Sequence, residues 1–310
     1  MSATKNKIID SHLHIWATEE ESSNSYPYGP SPNQKPPPSL IDKASPSCLI
    51  EQMEAANVNG ALIVQPINHQ FDHRYVSDAI TKYPHLFKGM LLHDPSLDTE
   101  DALSRLEELV LKGFVGVRFN PYLWPEDDEK EGKNKCMSKG SGLEVYKRCG
   151  ELGVPVGIMC FKGLDLHYED IIDLLESSPK TVMILDHFGF TFLGEEEGEH
   201  SKQLDQLLSL AKYENVIVKV SALFRIAGAG AGNDPYPYDR VKKERFDVLL
   251  EKFGKDRLMF GTDFPFVLNE EGSYKGTVDL VQLWTNGNED VKSAIMHGTA
   301  ERLFGVWGEK

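Results

Sequence analysis

The chain has 310 residues, and 33 Lys and Arg against 48 Asp and Glu give it a formal net charge of −15 at pH 7. That balance argues against binding a nucleic-acid backbone or an anionic membrane surface, since both need clustered positive charge. Hydrophobic residues make up 40% and charged residues 26%, which suits a globular protein with a substantial core.

The first seven residues are polar, so no secretory signal is visible, and no apolar run approaches the roughly 20 residues that cross a bilayer. Cys48, Cys136, Cys149 and Cys160 are widely spaced and form no C-x-x-C pair, a pattern of reduced thiols. The expectation is a soluble, cytoplasmic protein.

Short apolar runs at 7–10, 60–65, 87–92, 116–119, 154–160, 181–185, 216–220 and 258–260 predict eight strands. Most are almost continuously hydrophobic, as parallel strands buried on both faces must be. Helical patterns lie between them. Ser45 and Pro46 predict a cap and first helical position for a segment reaching Asn57. Leu103, Leu106, Leu109 and Val110 share one face, as do Phe246, Leu249, Leu250 and Phe253. Eight strand–helix units over this length predict a single-domain α/β chain with a (β/α)8 TIM barrel; a doubly wound sheet is the alternative.

Two insertions interrupt the rhythm, at 19–44 after the first strand and at 227–239 after the seventh. The first contains Pro36-Pro37-Pro38; the second runs through Gly228, Gly230 and Gly232 into Pro235-Tyr236-Pro237-Tyr238. No Lys-Ser/Thr follows these glycines, so they are not a phosphate loop. Both insertions leave the carboxyl ends of strands, where a barrel builds its active site, and read as lids or substrate-contacting loops. The acidic runs at 126–131 and 195–199 read as solvated loops.

The chemistry concentrates at strand ends. In Asp10-Ser11-His12-Leu13-His14 the two histidines are spaced by two, so an extended chain points both to one side. Such a pair suits a metal ion or a polarised carbonyl, and equally a pair of hydrogen-bonded structural histidines. Asp186-His187 follows the sixth strand and Asp263 the eighth. On a barrel these ends surround one cavity, so three histidines and a carboxylate converge without sequence proximity.

This arrangement resembles the amidohydrolase superfamily over nearly the whole chain. The finer resemblance is to the amidohydrolase-related (amidohydrolase 2) branch that contains 2-pyrone-4,6-dicarboxylate lactonase and sugar-acid lactonases. It rests on Val117-Arg118-Phe119-Asn120, Leu185-Asp186-His187-Phe188-Gly189, Lys219-Val220-Ser221, Pro235-Tyr236-Pro237-Tyr238-Asp239 and Phe260-Gly261-Thr262-Asp263-Phe264-Pro265. In relatives the fifth strand ends in histidine, whereas here Pro155-Val156-Gly157-Ile158 leads to Met159. A thioether is a poor substitute for imidazole toward a hard or borderline ion. Cys160 then points away from the cavity as an inert thiol.

The resemblance implies two modes. No cofactor is required in the favoured one: Asp263 deprotonates the attacking water while His12, His14 and His187 polarise the carbonyl. In the other, one Zn²⁺ is held by His12, His14, His187 and Asp263. Arg118 and Arg225 stand where the resembled lactonase holds substrate carboxylates, and either could instead form a surface salt bridge. Tyr75, Asn120, Met159 and Trp124 are further candidates for the pocket wall, with Lys162 a weaker one. His93 follows the third strand and approaches the cavity; His69, His73, His85, His167 and His297 read as loop or helix-surface residues. The expected function is hydrolysis of a small, carboxylate-bearing lactone. The alternatives are a metal-dependent nonoxidative decarboxylase and a binding protein with a degraded centre.

Overall fold

The computed structural model describes residues 7–124, 136–194, 201–228 and 234–308. Eight strands run parallel in sequential order around one sheet. They are β1 (Ile9–Leu13), β2 (Gly60–Val64), β3 (Phe87–Leu92) and β4 (Phe114–Phe119), then β5 (Val156–Ile158), β6 (Met183–Leu185), β7 (Val216–Val220) and β8 (Leu258–Phe260). Helices including Pro46–Ala55, Thr99–Leu111, Gly140–Leu152 and Asp247–Phe253 alternate with them. The order never reverses, so the architecture is the expected (β/α)8 barrel and not a doubly wound sheet.

Local rules set several boundaries. The helix Pro46–Ala55 begins as predicted, with Ser45 Oγ accepting the Cys48 amide at 3.3 Å. It stops short of Asn57, which takes a left-handed φ of 56°. Pro155 has no amide to give the ladder, and β5 starts after it, shorter than the run 154–160 suggests. β1 extends beyond 7–10, so the His-x-His motif begins on the strand and does not merely follow it.

The barrel has two cores. The inner one stacks Ile9, Leu62, Met90, Ile184, Ile217 and Met259, with Phe304 and Trp307 packed against them. The outer one joins strands to helices and includes Leu13, Ile63, Val117 and Val218. Ile9 and Leu13 are four residues apart, and strict alternation would put both on one face. A register irregularity between Asp10 and Leu13 reverses the parity, which turns His12 into the interior.

The seam between β8 and β1 closes through Leu13 and Phe264. Asp263 donates its amide to His12 O at 2.8 Å and His14 donates to Phe264 O at 2.7 Å. Beneath them, Asp10 accepts the Thr262 amide at 3.0 Å and its hydroxyl at 2.6 Å. The hydrogen bonds that close the barrel therefore position the site.

The first insertion carries a helix at Glu19–Asn24 and a turn at Pro32–Gln34. His69 fastens it, accepting the Ala17 amide at 3.1 Å and donating to Pro27 O at 3.2 Å. His73 likewise accepts the Leu92 amide at 3.0 Å and donates to Phe71 O at 2.8 Å. Both are 3% exposed, which corrects the surface expectation: two backbone partners make burial of an imidazole tolerable. His85 is exposed, and His167 and His297 are half-buried. Gly230, Gly232 and the acidic runs 126–131 and 195–199 lie outside the described residues. No described helix is long and apolar enough to cross a membrane.

Candidate active site

The carboxyl ends of the strands enclose a cavity of about 380 Å³. Its polar wall is made by His14, Arg118, Asn120, His187, Arg225 and Asp263. Leu92, Met159, Phe161, Phe190 and Phe266 supply the apolar surface. His12 lies just beneath, fully buried.

Three imidazole Nε2 atoms converge on Asp263 Oδ1: His14 at 3.5 Å, His12 at 3.9 Å and His187 at 4.0 Å. Their outer nitrogens have fixed partners. His14 Nδ1 donates to Val64 O at 2.8 Å, which leaves its Nε2 without a proton when the ring is neutral. His12 Nδ1 faces Asp186 Oδ1 at 3.1 Å, and His187 Nδ1 lies 2.8 Å from Ser221 Oγ. Asp263 and His187 both hold left-handed backbone conformations, with φ of 65° and 49°. Such geometry in non-glycine residues is unfavourable and survives where surrounding bonds impose it.

Burial pushes His187 down to about 3 and, with the Lys219 ammonium nearby, holds His12 well below the usual histidine range. Both rings are therefore neutral at pH 7. Burial alone would raise Asp263, but Arg225, His187 and His14 outweigh it and keep the carboxylate ionised. Arg225 Nε donates to Asp263 Oδ2 at 2.7 Å while its guanidinium covers the Phe266 ring at 4.7 Å.

Under the cavity floor, Asp186 is shared among three groups. His12 Nδ1 lies at 3.1 Å, Arg118 Nε at 3.3 Å and Lys219 Nζ at 3.3 Å. Burial raises Asp186, and Lys219, His12 and Arg118 together hold it well below its ordinary value. Lys219 Nζ also lies 3.1 Å from His12 Nδ1.

Ligand atoms of His12, His187 and Asp263 lie within 4.8 Å of one another, close enough to be tested as a metal site. His12 Nε2 is a buried atom without a partner, as an unfilled ligand would be. The charges point the other way. A ligating histidine is strengthened by an electron-rich outer partner, and the outer nitrogen of His12 faces both Asp186 Oδ1 and the Lys219 ammonium, each at 3.1 Å. Arg225 already occupies one Asp263 oxygen, and Met159 stands on the cavity wall where strand-five histidine was expected. Among the described wall residues, two guanidiniums face one carboxylate. The set has the spacing of a metal site, while the guanidiniums on the wall give the cavity the charge of an anion site.

Of the residues singled out from sequence, His14, His187, Asp263, Arg118, Arg225, Asn120 and Met159 line the cavity, and His12 supports it from below. Tyr75 does not reach it: its hydroxyl donates to Glu21 at 3.0 Å, and its ring faces a smaller cleft beside Tyr26. Trp124 stacks on His93 and Phe119 outside the wall, and His93 lines a separate cleft beyond Leu92. Lys162 lies over the Tyr122 ring at 4.9 Å. Cys160 is buried in the outer core. Lys219 is among the residues that sequence reasoning missed, with Phe190 and Phe266 of the cavity wall. A lysine inside Val216-Ile217-Val218-Lys219-Val220 is nevertheless anomalous enough to signal a role.

A family model described as amidohydrolase matches residues 9–306, and the chain belongs to that family. An L-fucono-1,5-lactonase from Burkholderia multivorans is 30% identical over 129 residues, 40% of this chain and 43% of that relative. The matched segment thus spans less than half of the relative. A probable 2-pyrone-4,6-dicarboxylic acid hydrolase from Acinetobacter baumannii, with citric acid bound, superposes with a TM-score of 0.72 at 20% identity, covering 97% of this chain and all of that one. A dihydroxybenzoic acid decarboxylase from Polaromonas sp. JS666, with manganese and an inhibitor bound, gives 0.64 at 17% identity, covering 96% and 97%. At these identities the two structures speak for the fold alone.

Proposed function

We propose that the protein is a hydrolase that opens a small, carboxylate-bearing lactone by attack of water, without a resident metal. The observation that carries this reading is the cavity wall itself: a fixed, ionised Asp263 beside two guanidiniums and the neutral His187 imidazole. Family membership and the lactonase relative support the hydrolase class.

The residues divide the work by position. Arg118 and Arg225 offer planar forks to a substrate carboxylate, which would neutralise the excess positive charge. The lactone carbonyl then lies beside His187, which carries its proton on Nε2 when Ser221 Oγ donates to its Nδ1, and that hydrogen bond strengthens as the carbonyl oxygen gains charge. Asp263 takes a proton from water, and the hydroxide adds to the carbonyl carbon. Collapse breaks the ring C–O bond, and the proton passes to the leaving alkoxide. Phe161, Phe190 and Phe266 exclude bulk water and pack on the ring.

Arg225 has a second consequence. While it grips Asp263 it weakens that base, and a substrate carboxylate that draws the guanidinium away restores the basicity. Turnover of a lactone series in wild type and D263N tests the proposal. An about 10²–10⁴-fold loss in kcat is expected for a missing general base; unchanged turnover contradicts it. The proximity of His12, His187 and Asp263 favours a metal-dependent decarboxylase as the second reading. That reading requires CO2 release dependent on an added divalent ion.

A further inference from the structure

Lys219 is fully buried on a strand otherwise made of Val and Ile, and no step above uses it. Its Nζ lies 3.1 Å from His12 Nδ1 and 3.3 Å from Asp186 Oδ1. Arg118 Nε stands 3.3 Å from the other oxygen of Asp186. One carboxylate therefore serves two cations and an imidazole.

A carboxylate behind a histidine ordinarily enriches the ring and strengthens its other nitrogen as a ligand. Here much of the Asp186 charge is directed to Lys219 and Arg118. The ammonium has donors and no lone pair, so it cannot accept the His12 N–H. Its fixed charge acts on the ring at contact distance, in a dry interior where a second positive charge is opposed far more than in water. Arg118 sits at the cavity wall and can be answered by a substrate anion, whereas Lys219 is sealed beneath the floor.

We propose that Lys219 is the positioning residue that keeps the His12, His187 and Asp263 cluster from holding a divalent ion, which reserves the cavity for an organic anion. The inference rests on the metal-free hydrolase reading above. It assigns the selectivity to a buried cation on β7 and not to Met159 alone.

Zinc affinity, measured by competition with a chromophoric chelator on EDTA-dialysed protein at neutral pH, tests it in wild type, K219M and K219R. K219M is expected to bind Zn²⁺ at least tenfold more tightly than wild type, while K219R, which keeps the charge, stays within about twofold of it. Circular dichroism checks the fold of each variant. Should K219M not fold, K219Q removes the charge while keeping a polar group beside Asp186, and the same tenfold tightening over wild type is expected. Unchanged zinc affinity in either folded variant overturns the proposal, as does tight stoichiometric zinc in wild type. Lactone turnover measured in parallel separates the two failures. A wild type that opens no lactone, beside a K219M that gains zinc, refutes the reaction and leaves the role of Lys219 standing. Lactone opening with no zinc gain refutes Lys219 only.

Discussion

Asp263 combines three properties seldom found on one side chain: burial, a left-handed backbone and an arginine at 2.7 Å. The arginine, with His187 and His14, keeps it ionised despite burial, so loss of the base belongs below the ordinary carboxylate range. Protonation removes activity as pH falls, and a depressed value moves that loss to lower pH. The expected profile of kcat/KM against pH is therefore flat from neutrality down to about 5; an acid limb centred near 6–7 contradicts it. R225A separates recognition from chemistry. The loss of Arg225 also alters Asp263 for every substrate, so recognition is read as a ratio: kcat/KM for a carboxylate-bearing lactone should fall about 10–100-fold further, the worth of a charge-assisted pair, than for an uncharged lactone of the same ring. Equal losses on both substrates would show that Arg225 does not read the carboxylate. At this scale the sequence was informative where polar side chains gather at strand ends. His12, His14, His187 and Asp263 could be read from spacing and position. Tyr75 could not be placed, because a helical residue's direction depends on packing: Tyr75 turned toward Tyr26 and Glu21. Lys219 was visible as a charge in an apolar strand, but its partners come from β1 and from the residue that follows β6.

The β8–β1 seam is both the closure of the barrel and the frame of the site. Gly261 lies against it, and a Cβ there would meet His12 Cβ at 2.8 Å and His12 N at 2.9 Å. The backbone nitrogen cannot swing aside, so G261A must spread the seam that carries both His12 and Asp263. A loss of about 1–3 kcal/mol in stability is expected from such overpacking, together with a fall in kcat. Urea unfolding and turnover of one variant check both, and a G261A protein with wild-type stability and activity would show that the seam does not position the site. The eight strands were legible as elements because buried parallel strands are continuously apolar. Their edges were not. The β1 irregularity that turns His12 inward has no composition signal and follows from how Asp10 ties to Thr262 across the seam.

For the molecule as a whole, buried neutral histidines link stability to acid. Burial lowers His73 and His93 from 6.5 to about 4 each. The unfolded chain takes these protons near pH 6.5 and the folded chain refuses them until about 4, so stability is present above 6.5 and is lost as pH falls across that window. Each histidine contributes up to about 3 kcal/mol, since a tenfold weaker hold on a proton is worth about 1.4 kcal/mol. Urea midpoints should fall steeply between pH 6.5 and 4, and H73Q should flatten the slope; a slope unaltered in H73Q would show that His73 does not carry its share. The order of strand–helix units was legible from the sequence, and it determines where the cavity lies. The chemical identity of the occupant was not, because it depends on side chains from several strands meeting around one space.

The most direct measurement is proton release in a pH-stat, using EDTA-dialysed enzyme and a carboxylate-bearing lactone at neutral pH. One proton for each ring opened, abolished in D263N and undiminished by the chelator, is the predicted result. Absence of proton release across a panel of such lactones, or turnover that appears only with an added divalent ion and releases CO2, would contradict it.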